Sequence, residues 1–171
     1  MKKNILFLSI AALLAACQPR EQAAQQQIRE EIAALEKQII EAEDAGKKPD
    51  AAVELVEKTL QYAKQYPQDT LTPNLLFKAA DVARGAKEYG KAIQLWGQVW
   101  RKYETHPQAP MALFLQGFTF DSDLRKASMA KKYYSQFLQK YPNDPLADQV
   151  KQLLSVVDEN PEDLVKKFET E

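Results

Sequence analysis

The sequence predicts an all-α chain, a solenoid of three to four stacked helical hairpins closed by a terminal capping helix. Three observations carry this. From residue 28 onward, apolar residues recur at steps of three and four, the spacing of one helix face. These stripes return 37 or 38 residues later, so the chain repeats itself. Prolines punctuate the repeats where one helix must stop and the next begin.

In chain order, Met1-Lys2-Lys3 is a short basic segment, and residues 5–16 form an apolar run broken only by Ser9. A bilayer crossing needs about 20 apolar residues. The shorter run, with its small-residue end, reads instead as a cleaved secretory signal. It closes on Leu14-Ala15-Ala16-Cys17, which resembles the lipobox of bacterial lipoproteins. In that family the cysteine thiol receives diacylglycerol, the signal (here residues 1–16) is cut off, and the freed amino group is acylated. The resemblance therefore implies lipidation at Cys17. The competing reading is an ordinary signal with a chance cysteine after the cut. Against it, Cys17 is the only cysteine in the chain, and an exported lone thiol has no disulfide partner. Two or more acyl chains anchor stably, each buried methylene contributing about 0.8 kcal/mol.

Composition narrows the function classes. There are 23 basic and 24 acidic residues, and two of the bases lie in the leader, so the chain beyond the leader is slightly acidic. No basic run interleaved with aromatics appears, which argues against a nucleic-acid surface. Five scattered glycines make no phosphate-cradling loop. Residues 17–27 carry no apolar period and read as the lipidated cysteine plus a polar spacer, with one domain over 28–171.

Within that domain, Ile28, Ile32, Leu35 and Ile39 mark a helix ending near Glu43. It reads either as the first helix of a repeat or as a short coiled-coil stripe. Gly46-Lys47-Lys48-Pro49-Asp50 breaks it, with Asp50 placed to cap the next helix. A helix over residues 89–103 is marked by Tyr89, Ala92, Ile93, Trp96, Val99, Trp100 and Tyr103. Shifted by 38 this set becomes Ala127, Ala130, Tyr134, Phe137, Leu138 and Tyr141, with Ile93 falling on Lys131. Shifted back by 37 it becomes Ala52, Leu55, Val56, Thr59, Tyr62, Ala63 and Tyr66. The preceding helices repeat as Leu76, Ala79, Ala80 and Ala83, then Leu113, Gln116, Gly117 and Phe120, then Val150, Leu153, Leu154 and Val157. Gln116 is the poor member of that set. Thr72-Pro73, Ala109-Pro110, Asp144-Pro145 and Asn160-Pro161 start helices, three of them behind a capping side chain. Leu164, Val165 and Phe168 mark the terminal capping helix.

A two-helix period of this length resembles the tetratricopeptide repeat over about residues 50–157. Residues 73–107 match best: Ala79, Ala80 and Ala83 fill the small positions of the first helix, and Tyr89-x-x-Ala92-x-x-x-Trp96-x-x-Val99 follows the second-helix pattern. The family's opening survives only as Leu113-x-x-Gln116-Gly117. In such arrays the first helices line a concave groove that holds peptides. The resemblance thus implies partner-binding positions at Phe77, Asp81, Arg84, Phe114, Phe118 and Asp121. Their apolar members would form an exposed patch unless neighbouring helices cover them.

Other chemistry finds little support. His106, the only histidine, sits in a turn and lacks the companions that zinc or general-base catalysis requires. Asp121 and Asp123 fall at a helix-to-helix turn, where capping accounts for them. Trp96, Trp100, Tyr134 and Phe137 form a core stripe, and Tyr133, one step off it, is either core or surface. The expected function is non-enzymatic, without metal, cofactor, nucleic acid or small-molecule substrate. The chain would be a protein-interaction scaffold, anchored to the membrane by lipid and holding an envelope protein or peptide segment. It resembles tetratricopeptide lipoproteins of outer-membrane protein assembly and periplasmic cell-division coordinators. Gln18 stands where enterobacterial lipoproteins retained in the inner membrane carry aspartate, which implies the periplasmic face of the outer membrane. No acidic run follows Cys17 to signal surface export. The alternative is an oligomeric envelope spacer that self-associates through residues 28–43.

Overall fold

The computed structural model describes the backbone of residues 4–157 and the side chains of residues 20–157. The described residues form seven α-helices and no strand: α1 (Asn4–Glu41), α2 (Pro49–Gln65), α3 (Thr72–Gly85), α4 (Tyr89–Lys102), α5 (Ala109–Phe118), α6 (Ala127–Lys140) and α7 (Ala147–Val156). A 3-10 turn at Ala45–Lys47 follows α1, and a π-helical turn at Thr119–Asp123 follows α5. The described residues are all-α, as the stripes predict. Each helix packs chiefly on its neighbours in sequence. α1 and α2 run antiparallel, since Gln25 donates to Tyr62 Oη at 2.9 Å while Glu31 pairs with Lys58 at 2.7 Å. The Asn160-Pro161 start and the terminal helix expected at Leu164, Val165 and Phe168 lie outside the described residues, as does the side chain of Cys17.

The predicted stripes form the core. α2 buries Ala52, Leu55, Val56, Thr59 and Tyr62; α4 buries Ala92, Trp96, Val99 and Trp100; α6 buries Ala130, Tyr134 and Phe137. Opposite them α3 presents Leu76, Ala79, Ala80 and Ala83, all closed to solvent, so small residues face large ones. Each fully buried large apolar side chain contributes about 1.5–3 kcal/mol. Gln116, out of place by pattern, is buried and bonded at both ends of its amide. Trp100 Nε1 donates to its Oε1 at 2.8 Å, and its Nε2 donates to the Ile93 carbonyl at 2.9 Å. On α1, Ile32, Leu35 and Ile39 are buried within this chain. That stripe is therefore occupied internally and leaves no free coiled-coil seam.

Three turns, joining α2 to α3, α4 to α5 and α6 to α7, share one hydrogen-bond pattern. The carbonyls of Tyr66, Tyr103 and Tyr141 accept from the amides of Asp69, His106 and Asp144. The side chains of those three then accept from the amides of Leu71, Gln108 and Leu146 at 2.8, 3.3 and 2.9 Å. This is an Asx-type turn in which His106 Nδ1 replaces a carboxylate oxygen. His106 is half-buried, not the exposed turn residue its position suggests. For α3 the turn acceptor is thus Asp69, three residues before the expected Thr72, whereas for α7 it is Asp144, as expected. Thr72 lies within α3 and its hydroxyl donates to the Tyr66 carbonyl, while Asp50 lies in the first turn of α2 without capping it. Pro73 and Pro110 take the second position of their helices, whereas Pro145 precedes α7 by two residues.

The expected spacer is helical where it is described: residues 20–27 continue α1 and are exposed except for Gln25, which donates to Tyr62 and Asp69. The repeat also changes length for a visible reason. The amide of Glu88 closes on the Ala83 carbonyl, five residues back, but that of Lys126 closes on Phe120, six back. The π turn absorbs the extra residue and shifts later elements by 38 instead of 37. By the matching amides, Val150 then corresponds to Ala112 and not to Leu113.

Candidate functional site

On α3, Phe77, Asp81 and Arg84 lie at steps of four and three, which places them on one face. Phe77 and Arg84 are half-buried and Asp81 is exposed. Arg84 reaches across to the end of α5 and the π turn. Its Nε donates to Asp123 Oδ2 at 2.6 Å, and its guanidinium carbon lies 5.2 Å from the Phe118 ring centre. Asp121, two residues earlier, accepts from Tyr134 Oη at 3.0 Å. Burial first, and then the Asp121 carboxylate, hold that hydroxyl's pKa above its ordinary value. The two aspartates therefore tie the π turn to α3 and α6, where helix capping was expected of them.

The aromatic candidates divide. Phe118 is half-buried and covered in part by Arg84. Phe114 is a core residue: only 8% of it is exposed, and its ring lies 6.3 Å from Tyr134 and 5.8 Å from Phe118. It cannot line an open groove, because the packing of α5 on α6 consumes its face. Tyr133 is half-buried, stacked 5.3 Å from Phe120 with the rings nearly parallel.

Asp81 opens onto a different neighbourhood. A crevice of about 250 Å³ runs between α1 and α3, lined by Glu36, Ile39, Ile40, Lys78, Asp81 and Val82. Lys78 pairs with Glu36 across it at 3.3 Å. Ile40 is 74% exposed although its neighbour Ile39 is buried. Asp81 has no hydrogen bond or ion pair among the described residues. Desolvation pushes its carboxyl up to about 6, partly countered by the charge of Arg84. An open side chain with a desolvated carboxyl is what a concave wall produces: water reaches the group, but protein fills much of the space around it. Ile40, Lys78 and Val82 were not singled out by sequence. The one available signal was the Ile39-Ile40 pair, since two adjacent positions cannot share one helix face.

A second hollow, of about 690 Å³, lies between the α2–α3 and α4–α5 turns, where Tyr103 Oη donates to the Pro67 carbonyl at 3.0 Å. His106 lines it in its turn-forming role. The α1–α3 crevice differs in joining exposed apolar surface to an unpaired carboxyl. What that arrangement can do chemically is hold a side chain.

Among comparisons with known proteins, residues 1–18 match the family described as the prokaryotic membrane lipoprotein lipid attachment site. No curated protein matches the chain. The matched lipid attachment site indicates a lipid-anchored membrane lipoprotein, and the described residues that follow it are all-helical.

Proposed function

We propose that the protein is a tetratricopeptide-like interaction scaffold, lipidated at Cys17 and held at the periplasmic face of the outer membrane. It acts by binding, not catalysis, and retains a segment of another envelope protein along the face shared by α1, α3 and α5. The observation that carries this reading is the partly apolar crevice at Ile40, Val82 and Asp81, with Phe77 and Arg84 about one turn to either side of Asp81 on α3. The turns that recur at 37 and 38 residues support the repeat assignment, as do the small residues of α3 facing the large ones of α4. The signal and Gln18 support the location. Self-association through residues 28–43 is the weaker reading, because Ile32, Leu35 and Ile39 are spent on the chain's own core.

The test is photocrosslinking in cells, with the reactive group placed at position 81 or 118 of the lipidated protein. One dominant, reproducible adduct from both positions is expected. Diffuse adducts that change between repeats would overturn the scaffold reading.

A further inference from the structure

We propose that the crevice between α1 and α3 receives a large apolar side chain of a partner peptide that carries a lysine or arginine close beside it. This rests on the scaffold reading and narrows it to one pocket and one partner chemistry. Ile39, Ile40 and Val82 supply the walls, and about 250 Å³ is on the scale of a single large side chain. Ile40 keeps 74% of its surface open, whereas Ile32, Leu35 and Ile39 keep no more than 7%. Among the described residues of α1, Ile40 is the large apolar side chain left exposed for a partner to cover.

Charge chooses the flanking residue. Glu36 is answered by Lys78 at 3.3 Å, Arg84 by Asp123 at 2.6 Å, and Asp121 accepts from Tyr134. Asp81 alone on this face lacks such a partner among the described residues. The charged residues that line the crevice are Glu36 and Asp81 against Lys78, so it is net acidic. An incoming cation would meet complementary charge at Asp81, and an acidic segment would be repelled. The raised pKa of Asp81 supports this, since a nearby cation relieves the cost of ionising a desolvated carboxyl.

The experiment pans a display library of random short peptides against the full lipidated protein in phosphatidylcholine nanodiscs. Wild-type protein is expected to enrich peptides that place a large apolar residue within a turn of Lys or Arg. Synthetic copies should bind about tenfold more weakly to Asp81→Lys, as expected when one charge of a complementary pair is reversed. They should likewise lose binding to Ile40→Asp. Panning against Asp81→Lys should enrich Asp and Glu in place of the basic residue. Both positions are exposed, so both variants should stay folded, which cooperative melting measured alongside checks. Enrichment without charge preference, the same enrichment on Asp81→Lys, or unchanged binding to Ile40→Asp would each overturn the proposal. So would an Ile40-dependent pairing of two copies seen by sedimentation. A dominant crosslinked partner together with any of these failures removes the crevice chemistry and leaves the scaffold reading standing. Absence of a reproducible adduct removes the scaffold reading itself.

Discussion

Asp81 binds its proton more tightly in the folded chain than in the unfolded one, because folding raises its pKa from 3.8 to about 6. Across that window the native state keeps a proton that the unfolded state releases, so stability falls as pH rises from 3.8 to about 6 and stays lower above it. Asp81→Asn removes the loss. The variant should melt above wild type near about pH 7, and the gap should close as pH approaches about 4. Solvent access to the carboxyl keeps the effect below about 1 kcal/mol. Paired thermal melts across this range check it, and a gap independent of pH would sink the assignment. Asp81 was legible as a face position through the tetratricopeptide resemblance, but its desolvation was not. That depends on the wall made by α1, whose approach to α3 no local pattern encodes. Gln116 shows the same limit, since its misfit became an asset only once the Trp100 indole lay within 2.8 Å of it.

Elements were read more securely than sites because stripes and prolines are local signals. Second helices predicted over residues 89–103 and 127–141 appear as Tyr89–Lys102 and Ala127–Lys140. The π turn was present in the sequence only as an unexplained change of repeat length. Its form depends on long-range ties from Asp121 to Tyr134 and from Asp123 to Arg84. The helical state of the polar stretch 20–27 within α1 escaped for a related reason, because the partners of Gln25 lie in α2 and the turn after it. Two helical glycines test the packing between elements. A Cβ on Gly117 would lie 3.0 Å from two ring carbons of Tyr134 and 3.2 Å from Tyr133 Cβ, so α5 could no longer approach α6 as closely. Overpacking of this kind costs about 1–3 kcal/mol, against about 1 kcal/mol gained in helix propensity. The three atoms nearest a Cβ on Gly97 all belong to the flexible guanidinium of Arg101, the first 2.6 Å away, which can swing aside. Gly117→Ala should therefore destabilise and Gly97→Ala stabilise, by roughly 1 kcal/mol in each direction. Urea titrations with unchanged m would establish both values, and shifts of the same sign would refute the distinction.

At the scale of the whole molecule, packing between sequence neighbours makes stability a sum of local interfaces. A chain built this way unfolds from its ends and passes damage on only through adjoining helices. α1 is held mainly by α2, and its Leu35 is 7% exposed in the common core. Truncating such a leucine to alanine removes buried apolar volume and leaves a cavity, at about 2–5 kcal/mol. In Leu35→Ala that loss should fall on α1 and its contacts with α2 and α3, while the interface of α5 with α6 keeps its own contacts. Hydrogen exchange should accordingly show α1 amides losing protection by a large factor, α2 by less, and α5 and α6 hardly at all. The crevice would open with α1, since Ile39 and Ile40 form one of its walls. Peptide binding should then weaken together with α1 protection, although the substitution lies outside the crevice. Uniform loss of protection from α1 through α7 would mean that the chain unfolds as one cooperative unit, and the local-interface account would fail.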